Sequence, residues 1–341
     1  MNGYERSKAA ALLLKEIGAN VTPLLRSAAL DEKIGGRLWI KAESTQLTGS
    51  FKFRGAYNKL CILSKHGVTS VITFSSGNHG SAIALAGKLL GITTTVVMPN
   101  DAPKVKVAST KANGAQVVLY DRVTDDRNKI ANDLASISGA TFVHPFDDID
   151  VMAGQGTIGI EIIEQLQSYE TNTLHSSFDQ ILVCCSGGGL SAGIADVCAT
   201  LSPGVQLHTV EPQNFDKMKR SLAAGTRLSN EQLCGSLCDA LLAPMPGVLP
   251  FEVLQKHASF GVSVSDDEVK DAMRLAFAHF RLVLEPGGAA ALAGALSHDF
   301  RERLRGRSTV VIASGGNVDI ALFTSILSEP SSSLSSSSFG W

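Results

Sequence analysis

The chain has 341 residues, of which 44% are hydrophobic and 18% charged, and its formal net charge is -2. That length favours two domains sharing a cleft, and the composition is that of a compact soluble protein with no basic footprint for nucleic acid or anionic membrane, so small molecules are the expected partners. No apolar run reaches the roughly 18 residues that span a bilayer, the first residues carry Glu5, Arg6, Lys8, Lys15 and Glu16 instead of a signal-peptide core, and six cysteines are too few for a disulfide framework, so a cytoplasmic protein with reduced thiols is expected.

Taken in chain order, residues 7–17 place Ala10, Leu13, Leu14 and Ile17 at helical spacing and stop at Gly18. Residues 37–42 read as a strand. The run Thr48-Gly49-Ser50-Phe51-Lys52-Phe53-Arg54-Gly55-Ala56 then leads into a helix with Ala56, Leu60 and Leu63 on one stripe, and Gly55 marks a close backbone approach. Between 70 and 147, strands at 70–74, 93–98, 116–120 and 141–143 alternate with helices at 80–90, 103–113 and 125–138, with Pro103 just inside its helix and Gly114 just past it. A second series follows: helix 156–167, strand 180–185, helix 190–201 and strand 206–210. Ser265 and Glu268 form a capping box that opens a helix running to Arg281, and residues 308–313 make a last apolar strand. From Ser328 the chain is almost all serine and is expected to be disordered. The expected fold is α/β with two domains, each an open twisted sheet flanked by helices: a large one from residues 1–69 and 148–327, and a small one inserted at 70–147.

Two loops carry the chemistry. Ser75-Ser76-Gly77-Asn78-His79-Gly80 and Ser186-Gly187-Gly188-Gly189-Leu190 each follow a strand-like run and open a helix, which is where anions bind in an open α/β sheet. Lys52 alone reads as an amphipathic stem lying on an apolar face. Beside a phosphate-sized glycine nest it suggests a Schiff base to pyridoxal phosphate, with the amine on the aldehyde and the nest on the phosphate. The triple glycine lacks the phosphate-loop NTPase pattern, although Glu211 keeps a dinucleotide reading open, and Cys234 with Cys238 lack the second pair that a zinc site needs. Each remaining candidate has a plainer reading. Ser76 and His79 could cap a helix, Asn78 and Ser314 could be turn residues, Glu285 a surface charge, and His144-Pro145 a strand end.

Together, TGSFKFRGA, SSGNHG, HP followed by MAGQGTIGIEI, SGGGLSAGIA, LEPGGAA and ASGGNVD, in this order across residues 5–325, resemble the serine/threonine dehydratase and serine racemase family of fold type II (tryptophan synthase beta-like) pyridoxal-phosphate enzymes. The resemblance implies that Lys52 is the Schiff-base lysine and the base that takes the Cα proton. It implies that Asn78 bonds the cofactor's phenolic oxygen, that Ser186, Gly187, Gly188, Gly189 and Leu190 wrap its phosphate, and that Ser314 faces the pyridine nitrogen. Phe51 would pack on the cofactor. Ser75, Ser76, Asn78 and His79 would grip the substrate carboxylate, with Ser76 as the second acid that racemisation needs. A hydroxyl at the ring nitrogen makes a poorer electron sink and favours prompt β-elimination over transamination. Phe51 and Phe53 by desolvation, and Arg54 by charge, are expected to lower the Lys52 pKa.

The expected activity is that of an L-serine/L-threonine ammonia-lyase giving a 2-oxo acid and ammonia, in a homodimer. The alternatives are a serine racemase, a dehydratase of a bulkier 3-hydroxy amino acid, a nucleotide-dependent protein, and an inactive vitamin-binding protein. Phe74 and Phe146 stand where racemase-type members have a serine and an asparagine, which ranks dehydratase first. The family's divalent-cation site pairs a glutamate with an aspartate six residues later, and here Glu211 is followed by Lys217, so no strong metal site is expected and Glu211 is its residual candidate. With no regulatory segment after residue 327, feedback control is not expected.

Overall fold

The structure, a computed structural model, describes residues 1–122, 124–169 and 178–329. The strands are β1 Leu24–Arg26, β2 Arg37–Ala42, β3 Ser70–Phe74, β4 Thr93–Pro99, β5 Gln116–Tyr120, β6 Thr141–Phe142, β7 Gln180–Cys184, β8 Gln206–Pro212, β9 Ala258–Val264 and β10 Ser308–Ala313. They form a six-stranded sheet in the order β1-β2-β10-β7-β8-β9 and a four-stranded sheet in the order β5-β4-β3-β6. All pairings are parallel except that of β1 with β2. Parallel sheets need helices on their faces, and the near-continuous burial of β7 and β10 is what a strand covered on both sides shows. The expected α/β class and the alternation between 70 and 142 are both present.

The helix Lys52–Lys65 lies between the two sheets' helical layers. It buries Phe53, Ala56, Tyr57 and Leu60 against Val71, Ala82, Ile83 and Ala86 on one side and Val151 on the other. Each fully buried large side chain contributes roughly 1.5–3 kcal/mol. The approach expected at Gly55 is found: a Cβ on Gly154 of the helix Ile149–Tyr169 would lie 2.5 Å from the Gly55 Cα.

That long helix starts well before the predicted 156. Asp148 Oδ1 accepts from the Asp150 and Val151 amides and starts the helix, and Gly154, Gly156 and Gly159 are close-packing positions on it. Pro103 precedes its helix, Lys104–Ala112, as an extended cap with ψ 129°, and is not its first residue. The Ser265 and Glu268 capping box is present in both directions, at 3.2 and 2.8 Å. β1 and β9 were not anticipated: one has three residues, and in the other Ala258, Phe260, Val262 and Val264 alternate with Ser259, Gly261 and Ser263, the period of a half-buried strand that the reading passed over. Ser328 ends the helix Ile320–Ser328, and the serine-rich residues 330–341 lie outside the described residues.

Candidate active site

The lysine motif is stitched to the end of β10. Phe51 N donates to Ser314 O (3.1 Å), Gly316 N to Gly49 O (2.9 Å) and Asn317 Nδ2 to Thr48 O (2.8 Å), so the helix Lys52–Lys65 begins where β10 stops. Lys52 Nζ donates to Pro145 O at 3.0 Å and lies 5.1 Å from the Phe51 ring centroid. Burial lowers its pKa to about 8, against a smaller upward pull from Cys184.

The expected contributions of Phe53 and Arg54 to this shift are not found. Phe53 stacks on Tyr57 in the core, with ring centroids 5.5 Å apart. Arg54 is buried and turned to Glu43 (2.8 Å) and Glu161 (2.6 Å), and Lys41 also reaches Glu161 (2.6 Å). Burial works against the Arg54 charge, and the two carboxylates outweigh it and raise its pKa.

Ser186 to Leu190 follow β7. Gly188, with φ +96°, is the N-cap of the helix Gly189–Leu201 and brings no side chain to its first amides. A Cβ on Gly187 would lie 2.1 Å from the Phe146 ring, and one on Gly189 2.7 Å from Phe146 O, so only glycine fits here. Gly187 O accepts from Gly247 N (2.9 Å), and Ser186 Oγ accepts from Ala243 N (3.3 Å). Helix-start amides without a capping side chain, a positive-φ glycine and a facing amine of lowered pKa together fit a phosphate-bearing aldehyde.

Ser75 Oγ accepts from Gly77 N at 3.0 Å, and Gly77 caps the helix Asn78–Leu90. Ser76 and His79 are therefore not its caps, and Asn78 is a helical residue and not a left-handed turn. Asn78 Nδ2 donates to Glu285, and its Oδ1 accepts from Asn317 Nδ2 at 2.9 Å. Both His79 ring nitrogens are buried with no hydrogen-bond partner among the described residues, and burial holds the imidazole well below its ordinary range, hence neutral. Ser314 Oγ accepts from Cys184 Sγ at 3.1 Å. One cavity is lined by all the residues that the resemblance assigns to the cofactor and the substrate: Phe51, Lys52, Ser75, Ser76, Asn78, His79, Ser186, Gly187, Gly188, Gly189, Leu190 and Ser314; Glu211, the residual metal candidate, does not line it.

The cavity also exposes residues that sequence reasoning passed over or read otherwise. Arg122, Arg127, Asp239 and Leu241 line it, as does Cys184, whose thiol is pushed up to about 11 by burial. Glu285 is 2% exposed, not a surface charge. Burial pushes its carboxyl up, although Lys106 lies 3.1 Å away; the same ammonium reaches Asp239 at 2.9 Å. Pro145 is more than a strand end, since its carbonyl anchors Lys52. No local pattern marks Arg127 or Asp239, which reach the cavity only through folding.

Apart from the cavity, Lys217 Nζ donates to Glu211 Oε1 (3.0 Å), Leu241 O (3.3 Å) and Phe215 O (3.4 Å). The Met218 and Lys219 amides also donate to Glu211. Among the described residues, no group of three or more His, Cys, Asp or Glu is placed to hold a metal ion, and no helix is long and apolar enough to cross a membrane.

Residues 16–315 match the family of pyridoxal-phosphate dependent enzymes. The chain belongs to that family. Its cofactor is pyridoxal phosphate. It is similar to the L-threo-3-hydroxyaspartate ammonia-lyase of a Pseudomonas species, at 37% identity over 91% of this chain and 93% of the relative. It is also similar to the L-threonine ammonia-lyase of Thermotoga maritima, at 35% identity over 95% of this chain and 78% of the relative. The serine racemase structure from Dictyostelium discoideum superposes with a TM-score of 0.83 at 32% identity, covering 93% of this chain and 99% of that one.

Proposed function

We propose that this pyridoxal-phosphate dependent enzyme is an ammonia-lyase of 3-hydroxy amino acids, L-serine and L-threonine among them, that eliminates the β-hydroxyl and releases a 2-oxo acid and ammonia. The observation that carries the reading is that the Lys52 amine and the Ser186–Leu190 cradle line the same cavity. The ammonia-lyases among the relatives support it.

When bound, the cofactor supplies the electron withdrawal that makes the substrate Cα proton acidic. Lys52, with its pKa near 8, is the amine that holds the cofactor aldehyde and then takes that proton. The amides of Ser186, Gly187, Gly188, Gly189 and Leu190 hold the phosphate. Asn78, fixed by Glu285 and Asn317, keeps one Nδ2–H that would donate to the phenolic oxygen. Ser314, whose hydroxyl is no strong acid, would serve the ring nitrogen, and Phe51 would pack on the ring; both line the cavity. Ser75, Ser76, Asn78 and neutral His79, from the first turn after β3, hold the substrate carboxylate. Residues 70–147 form one domain and residues 1–69 with 148–327 the other, so the cavity lies between them, and the working unit is a homodimer.

A serine racemase side activity is the second reading, because Ser76 lines the cavity and could serve as an acid opposite Lys52. Purified holoenzyme given L-serine and L-threonine should release 2-oxo acid faster than it forms the inverted amino acid. Inversion outpacing oxo-acid release would reverse the two readings.

A further inference from the structure

We infer that Lys106 is a positioning residue for the reaction: its ammonium keeps Glu285 a carboxylate, and that carboxylate fixes which edge of the Asn78 amide is left for the cavity. The inference rests on the ammonia-lyase reading, in which Asn78 serves the cofactor, and adds a residue to its machinery. Lys106 acts from behind the wall, since it does not itself line the cavity. It lies in the helix Lys104–Ala112 and is 5% exposed. Its aliphatic stem packs against the loop after β3, so closely that a Cβ on Gly77 would lie 2.2 Å from Lys106 Cδ. Past that glycine the ammonium reaches Glu285 Oε2 at 3.1 Å and Asp239 Oδ1 and Oδ2 at 3.2 and 2.9 Å.

Glu285 is the group that needs this cation. Its Oε1 accepts from Asn78 Nδ2, and its Oε2 accepts no hydrogen bond among the described residues, so the Lys106 ammonium is its counter-charge there. Burial and the Asp239 charge push the carboxyl up, and Lys106 and the Asn78 amide pull it down. The Lys106 pKa is raised in return, the sign of an ion pair. Cys184 of β7, which feels the Glu285 charge, stays a neutral thiol. Glu285 is also anchored through its own backbone, its amide donating to Gly315 O at 3.1 Å. An ionised carboxylate only accepts hydrogen bonds, so the edge of Asn78 that meets it must be Nδ2, whereas a protonated carboxyl donates and can meet Oδ1. Asn317 Nδ2 donates to Asn78 Oδ1 at 2.9 Å and imposes the same orientation from the other side. Through Glu285, Lys106 thus decides that the free edge of Asn78 is an N–H.

The test compares wild type, Lys106→Met and the double variant Lys106→Met/Glu285→Gln as holoenzymes, reading the visible absorbance of the bound cofactor across the neutral pH range and oxo-acid release from L-serine. In Lys106→Met the Glu285 carboxyl should bind a proton in that range, so the visible band should show a titration that wild type lacks. Its kcat at neutral pH should fall about 10- to 100-fold, the worth of one charge-assisted hydrogen bond, and the loss should shrink as rising pH removes the proton again. The amide of Glu285→Gln still accepts from Asn78 Nδ2 but cannot titrate, so the double variant should lose the extra titration and regain part of kcat. Failure of Lys106→Met alone to fold, beside a folded double variant with the wild-type band, would support the inference equally, because the harm then comes from the bare Glu285 charge. An unchanged band and rate in Lys106→Met would overturn it. So would the same titration in wild type, its persistence in the double variant, or a double variant that fails as badly as the single one. A colourless wild type inert to hydroxy amino acids would overturn the ammonia-lyase reading and this role with it.

Discussion

Two lysines stand close to the cavity, and their surroundings send them in opposite directions. Burial opposes the charge on both. At Lys106, Glu285 and Asp239 outweigh it and raise the pKa, whereas Lys52 has no carboxylate partner and falls to about 8. At pH 7 about one Lys52 amine in ten is then neutral, against roughly one in 3,000 at the ordinary lysine pKa of 10.5, and only the neutral amine is a nucleophile. The rate at which apoenzyme takes up pyridoxal phosphate should therefore rise as pH increases through about 8 and level off above it, as followed by stopped-flow absorbance. A rate that continued to climb to pH near 10.5 would mean an unperturbed amine. The place of Lys52 in the cavity wall was legible because the motif around it is contiguous. The cause of its shift was not, because consecutive helical residues point about 100° apart, so Phe53 and Arg54 are neighbours in sequence that face the core and a buried carboxylate pair.

At the scale of elements, the turn from β8 into the helix Lys217–Ala224 shows how a misfit to a pattern can become a fastening. Lys217 at the expected aspartate position reads as repelling a cation from Glu211. In the fold it serves as the cation: a fully buried ammonium held by one carboxylate and two carbonyls, one of them from Leu241 on the cavity wall. Lys217→Met would leave Glu211 buried with only its two amide donors. It should lower the unfolding free energy in urea by about 3 kcal/mol, the usual cost of removing one partner of a buried pair. A loss below about 0.5 kcal/mol, the range of ordinary surface substitutions, would contradict this role. The elements that sequence reading anticipated have regular apolar periods. Of those it missed, β9 has such a period too, Ala258, Phe260, Val262 and Val264 at every second position, whereas the helix Pro286–Leu296, which opens Pro-Gly-Gly, is set by the packing around it.

At the scale of the molecule, the cavity is assembled where the carboxyl ends of β3, from one sheet, and of β7 and β10, from the other, meet the start of the helix Lys52–Lys65. The glycine loops were legible because each needs a local backbone shape that few residues allow. Arg127, Asp239 and Leu241 were not, because nothing in their own segments records that distant chain will close over them. All of the proposed chemistry depends on one proposed covalent attachment, at Lys52. The most direct test is borohydride reduction of the holoenzyme, proteolysis and mass spectrometry of the peptides. The pyridoxyl group should be found on the peptide carrying Lys52; finding it on Lys106 or any other lysine, or on none, would contradict the account.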